Sequence, residues 1–187
     1  MDIQKIETAV ELILEAIGEN PNREGLKATP RRIASMYEEI FSGLNRKAAD
    51  VLNVFFEAES DAPVSVCGIP FYSMCEHHFL PFFGTVSVIY APQNRKITGL
   101  SKIARLVDIL ARRPQIQENL TAQITGALNE KLNPKGVLTV VRAEHLCISM
   151  RGIKKPGTQT VTVAAKGIYE TDSALRSEAL SWLTVSE

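Results

Sequence analysis

This 187-residue chain has three histidines and three cysteines, and five of these six residues stand in two short words. The words are Cys75-Glu76-His77-His78 and His145-Leu146-Cys147. Thiolate and imidazole are the preferred ligands of zinc. Cys75 and His78 are three apart, a spacing that lets one turn present both to a single ion. Cys147 comes from a distant segment and closes the site. Three protein ligands leave a fourth position for water, the pattern of a catalytic zinc rather than a structural one. Zinc can bring the pKa of bound water down toward ~7. His77 or His145 as a fourth ligand gives instead a closed structural site. In extended backbone the neighbours His77 and His78 point to opposite sides, which argues against His77.

The second word lies in a long alternating stretch, residues 136–152, that reads as one strand. Side chains two apart on a strand share a face, so His145, Cys147, Ser149 and Arg151 are expected together on one side. At ~3.3 Å per residue, His145 and Arg151 then lie ~20 Å apart. His145 sits one pleat from the metal, within proton-transfer reach of whatever is attacked there. Arg151 can hold an anion bidentately, whereas Lys154 and Lys155 read as surface charge. Gly99-Leu100-Ser101-Lys102-Ile103-Ala104-Arg105 is a second candidate, with a glycine, a helix start and two cations in the first two turns. Helix N-termini bind phosphate through free N–H groups and the dipole, although plain capping uses the same residues. It is not a Walker A loop, because G-x-x-x-x-G-K-[ST] is absent. Glu118 falls in the first turn of the next helix, where a carboxylate complements the dipole. Cys67 lies outside both words and reads as a buried apolar thiol.

The elements that must position these groups follow from periodicity. Ile3, Ile6, Val10, Ile13, Leu14 and Ile17 recur at helical spacing and predict a helix over 2–18. Thr29 as cap with Pro30 in the first turn starts a second helix, striped by Ile33, Met36, Tyr37, Ile40, Phe41 and Leu44. From residue 63 the period changes to two. Segments 62–74 and 84–92 read as strands. A helix begins after Gly99 and ends at Pro114, and a second runs to Asn133-Pro134. Residues 136–152 and 158–170 read as a strand pair. The expected class is α+β, an antiparallel four-stranded sheet with two helices on one face, preceded by N-terminal helices. The expected division is an N-terminal helical region, 1–62, and a catalytic region, 63–187.

Composition narrows the partners. The net charge is zero, which argues against a nucleic-acid binder. The zero hides a split: residues 1–62 carry 7 basic and 12 acidic residues, and residues 63–187 carry 14 and 9. All the histidines and cysteines are in the basic half. No apolar run approaches ~18 residues, so no membrane partner is expected. The acid-studded N-terminus lacks the basic start of a signal peptide, and three cysteines do not make a disulfide framework. A cytoplasmic location is the expectation.

CEHH, GLSKIAR, RRPQIQE, AEHLC and MRG, in this order, resemble GTP cyclohydrolase I of the zinc-dependent type, a likeness running from about residue 17 to about residue 180. The resemblance implies conversion of GTP to 7,8-dihydroneopterin triphosphate and formate, the first step of folate or pterin synthesis. It implies the tunnelling fold and a toroidal homodecamer of two pentamers, with sites at subunit interfaces. Cys75, His78 and Cys147 match the ligands of one Zn2+ per subunit, which activates a water to attack C8 of the guanine. His145 matches the acid that protonates N7, and Ser101 a residue of the later ribose rearrangement. Glu118, with Gln117 beside it, matches the guanine-recognition position. His77, Lys102, Arg105 and Arg151 match positions that hold the ribose and triphosphate, and His77 is grouped with His145 and Ser101 as catalytic. The chain departs from the family's pattern at Ala179, where an aromatic is usual, and at Val163-Ala164-Ala165, which is more apolar. Rival readings are another tunnelling-fold enzyme on a pterin or purine-like substrate and a non-catalytic zinc protein. A zinc nucleobase deaminase is disfavoured, since H-x-E followed by P-C-x-x-C is absent.

Overall fold

The computed structural model describes residues 1–183. The chain divides into two compact units, residues 1–42 and residues 43–187. The first is a helix pair. Helix α1 (Ile3–Ala16) is capped by Asp2, whose carboxylate accepts the Lys5 N–H at 3.1 Å and so satisfies one of the free donors at the helix start. Helix α2 (Thr29–Ile40) packs against it. The sequence places Thr29 at the cap, but the structure gives that position to Ala28. Thr29 is the first helical residue, and Pro30 sits in the first turn, where a missing N–H costs nothing.

The second unit begins with a 3-10 turn at Ala48–Val51 and runs through β1 (Phe55–Glu57), β2 (Val64–Cys75), β3 (Pro81–Ala91), β4 (Lys96–Thr98), α3 (Leu100–Ala111), β5 (Pro114–Gln115) and α4 (Gln117–Leu132). It continues through β6 (Gly136–His145), a single turn α5 (Leu146–Ser149), β7 (Gln159–Gly167), α6 (Ile168–Thr171) and α7 (Ser173–Ser181). Strands β2, β3, β6 and β7 pair antiparallel in that order, and β5 adds two residues parallel to β2 at the edge. Strands β1 and β4 form a separate ribbon that periodicity did not reveal, each being three residues long.

One face of the sheet carries Ile69, Phe71, Phe82, Val86, Val88, Tyr90, Val137 and Val141, which cluster with Ile103, Leu106, Val107 and Leu110 of α3 and Leu120, Ile124 and Leu128 of α4. Each fully buried side chain of this size contributes about 1.5–3 kcal/mol. Gly84 on β3 permits a close approach: a Cβ there would stand 1.9 Å from the Arg142 carbonyl on β6. The other face is partly covered by the C-terminal helices. Ile89, Leu138 and Val140 cluster there with Tyr169, Leu183 and Ala179, which is 1% exposed. The small side chain noted at position 179 is thus a core residue of this second cluster.

Two strand expectations are corrected. The stretch 136–152 is a strand only to His145, and Leu146–Ser149 forms a helical turn. Alternating hydrophobicity persists past His145, but Glu144 accepts hydrogen bonds from the Ser149 hydroxyl (2.6 Å) and the Gly157 N–H (3.2 Å), folding the chain back. Glycines at positive φ, Gly152 (62°) and Gly157 (78°), complete the reversal. The segment 158–170 likewise ends as a strand at Gly167, whose φ of 65° turns it into α6.

Candidate metal centre and active site

Strand β2 delivers Cys75 at its last residue, where side-chain alternation points it into the core. The chain then turns: the Phe79 N–H donates to the Cys75 carbonyl and the Cys75 N–H to the Leu80 carbonyl, both at 2.9 Å. Phe79 takes a left-handed conformation, φ 51°. A further bond, Glu76 N–H to the Gln115 carbonyl (3.0 Å), ties the turn to β5. The turn presents His78 beside Cys75, and the α5 turn brings in Cys147. The ligand atoms of Cys75, His78 and Cys147 all lie within 4.8 Å of one another. Among the described residues this is the one such group, and neither His77 nor His145 joins it. Burial pushes the Cys147 thiol up, and Cys75 alongside pushes it the same way. A divalent cation among these donors reverses that penalty and lets both thiols ionise, so the donor set fits a metal.

His145 stands next to this group but faces a different partner. Its ring stacks on Phe82, centroids 4.7 Å apart and 4° from parallel, because β3 and β6 pair Phe82 directly with His145. Its Nε2 meets Gln117 Oε1 at 2.8 Å. The orientation of the Gln117 amide follows from its other end, where Nε2 donates toward the carbonyls of Val141 and Thr160, each at 3.0 Å, and the Thr162 hydroxyl at 3.1 Å. Oε1 is therefore the acceptor, and the proton of a neutral His145 sits on Nε2, leaving Nδ1 as the free lone pair. Burial pulls the His145 pKa down, opposed by the Glu118 carboxylate nearby. Glu118 is exposed at the start of α4, whereas Gln117 is 1% exposed and engaged at both ends.

Residues 6–184 match the family model described as GTP cyclohydrolase I. The chain belongs to the GTP cyclohydrolase I family. It is 56% identical to GTP cyclohydrolase 1 of Carboxydothermus hydrogenoformans, across 97% of this chain and 94% of that protein. It is also 56% identical to GTP cyclohydrolase 1 of Streptococcus thermophilus, across 95% of each. Among solved structures it is distantly similar to an archaeosine synthase QueF-Like in the apo form, with TM-score 0.47 and 21% identity over 58% of this chain and 97% of that one. No helix among the described residues is long and apolar enough to cross a membrane.

The placement of the remaining candidate residues is uneven. Arg151 is not displaced along a strand from His145. The loop returns it to the metal group, where its guanidinium meets His78 Nε2 at 2.9 Å. A neutral imidazole has one lone pair, so His78 serves either that guanidinium or an ion through it. His77 is exposed, edge-on to His78 with centroids 6.4 Å apart. Ser101, Lys102 and Arg105 are elsewhere. The metal end of the sheet abuts the C-terminus of α3, where Ser73 donates to the Ala111 carbonyl at 2.7 Å. Ser101 lies ten residues back along that helix, ~15 Å at 1.5 Å per residue. The Thr98 N–H meets the Tyr90 hydroxyl at 3.4 Å, and Tyr90 is eight residues, ~26 Å, along β3 from Phe82. Lys102 and Arg105 line a cleft with Arg46, Lys47, Asp50, Val51 and Asn53 that includes none of Cys75, His78 and Cys147. Sequence reasoning missed Phe82 and Glu144, which position His145 and the loop carrying Cys147 and Arg151. Only strand register and loop closure reveal them.

Proposed function

We propose that this chain hydrolyses GTP to 7,8-dihydroneopterin triphosphate and formate at a zinc site held by Cys75, His78 and Cys147. The observation that carries the reading is the convergence of those three ligand atoms within 4.8 Å, beside a histidine fixed by Gln117, in a chain that belongs to the GTP cyclohydrolase I family. A zinc ion there supplies a nucleophile from water at neutral pH. The chain's own residues do the rest. His145 offers Nδ1, the nitrogen not tied to Gln117, for proton transfer to N7 of the guanine. Glu118 accepts the N1–H and amino group of the base. Gln117, buried and engaged, acts through His145 rather than on the base. Arg151 and His77 hold the ribose and phosphates. One water is consumed overall: C8 leaves as formate, and the ribose carbons close the new ring after rearrangement.

Ser101, Lys102 and Arg105 of one copy complete the metal site of another copy in this reading. The supporting observation is their separation from the chain's own metal group. A ring of two pentamers built on the tunnelling fold is the assembly that supplies such neighbours. The test is to incubate zinc-loaded protein with GTP and follow formate and the fluorescent pterin obtained after oxidation. Both products are expected, and both are lost on chelation and in Cys147→Ser. Metal-replete protein that binds GTP and releases no formate overturns the reading.

A further inference from the structure

The first two turns of α3 face a cleft of about 390 Å³ whose lining includes Arg46, Lys47, Asp50, Asn53, Lys102 and Arg105. Four cations and one carboxylate share it. The carboxylate is engaged elsewhere, with Asp50 3.8 Å from Lys131. Among the described residues, none of the four cations has a carboxylate within ion-pair distance. Four cations against one carboxylate leave a net repulsion, and a bound polyanion relieves it. The volume falls in the range of small-molecule sites, ~300–1,000 Å³.

The position of Arg46 and Lys47 is built into the fold. Gly43 lies against the C-terminal end of α3, its N–H donating to the Arg112 carbonyl at 3.0 Å, and a Cβ there would stand 2.0 Å from the Ile109 carbonyl. The Arg113 guanidinium donates to the Arg46 carbonyl at 2.7 Å. The backbone of this segment is thus pinned along α3, while the Arg46 and Lys47 side chains remain exposed.

We infer that Arg46 and Lys47 are binding residues for the outer phosphates of the nucleoside triphosphate, extending the cradle begun by Lys102 and Arg105. This rests on the reading of the chain as a GTP hydrolase. The pair contributes charge-assisted hydrogen bonds to the phosphate tail and none to the base, so it sets preference by phosphate number. The test compares Arg46→Ala, Lys47→Ala and the double variant with the wild type. Wild-type formate release from GTP is measured first and tests the underlying reading by itself. The inference predicts a rise in KM for GTP of about tenfold or more in the double variant with kcat within about twofold. Inhibition by inorganic tripolyphosphate weakens in parallel, and Arg46→Lys with Lys47→Arg restores both. Arg46→Ala keeps the carbonyl that Arg113 uses, and a Gln pair at the two positions serves as a second, better-solvated replacement. An unchanged KM in an active enzyme overturns the inference. So does weakened tripolyphosphate binding with KM for GTP intact, which assigns the cleft to a separate anion.

Discussion

Gln117 decides what His145 can do. Its amide is oriented by three acceptors and so presents oxygen, not nitrogen, to His145 Nε2. Gln117→Leu removes that acceptor while keeping the volume. The expected result is a fall in kcat of about 10–100-fold, the scale of loss when a metal-ligating histidine loses its outer hydrogen-bond partner. KM for GTP and metal content stay near wild type. Stability drops by about 1–3 kcal/mol, because the buried acceptors that Gln117 served are left unpaired. Steady-state kinetics and a thermal melt check both parts, and equal losses in KM and kcat count against a positioning role. The grouping of Cys75, His78 and Cys147 was legible from residue type and spacing. The relation of His145 to Phe82 and Gln117 was not, since it depends on β3–β6 register and on where α4 starts.

The loop between β6 and β7 is the element that carries Cys147 and Arg151, and Glu144 holds it closed. The Ser149 hydroxyl, and then the Gly157 N–H, hold the Glu144 carboxyl below the usual carboxylate range. A carboxylate with a depressed folded pKa contributes stability above its unfolded value, ~4.3, and loses it as pH falls through the folded value. Glu144→Gln lacks that ionisation. Wild type is therefore expected to melt above Glu144→Gln at pH 6–7, and the gap closes as pH falls below ~4. A gap that persists in acid contradicts the assignment. Strand β3 is subject to a separate constraint at Gly84, where a methyl group would meet the Arg142 carbonyl at 1.9 Å and the Ala143 Cα at 2.7 Å. Gly84→Ala forces β3 and β6 apart and costs about 3 kcal/mol, read as a lower melting temperature. Alternation in the sequence located both strands well, yet it overran at His145. A side-chain clamp from a residue on the strand itself ended the ladder there, and hydrophobic pattern does not record such a clamp.

For the whole molecule, the separation of Ser101, Lys102 and Arg105 from the metal group makes a direct prediction about assembly. Lys102→Ala and Cys147→Ser chains, each impaired alone, regain formate release when dissociated and reassembled together, because mixed neighbours restore some complete sites. Mixtures no more active than the separate chains contradict a shared site. The acidic first third belongs to the same question. The proposed metal ligands Cys75, His78 and Cys147 all fall within residues 43–187, so a chain beginning at Gly43 is expected to keep metal binding and lose the native oligomer, checked by metal content and light scattering.

The sequence by itself determined the donor set, the cationic helix start, helices α3 and α4 and the α+β class. These depend on residue type and on local period, which need no distant partner. Tertiary structure decided the rest. It ended β6 at His145, turned Arg151 back to His78, buried Gln117 against His145, covered the second sheet face with Tyr169 and Ala179, and set Arg46 and Lys47 beside Lys102 and Arg105. Each of these depends on contacts between segments distant in the chain, 28 residues apart for Gln117 and His145 and 73 for His78 and Arg151, or on a loop closing upon itself. Spacing along the chain does not encode such contacts, and packing does.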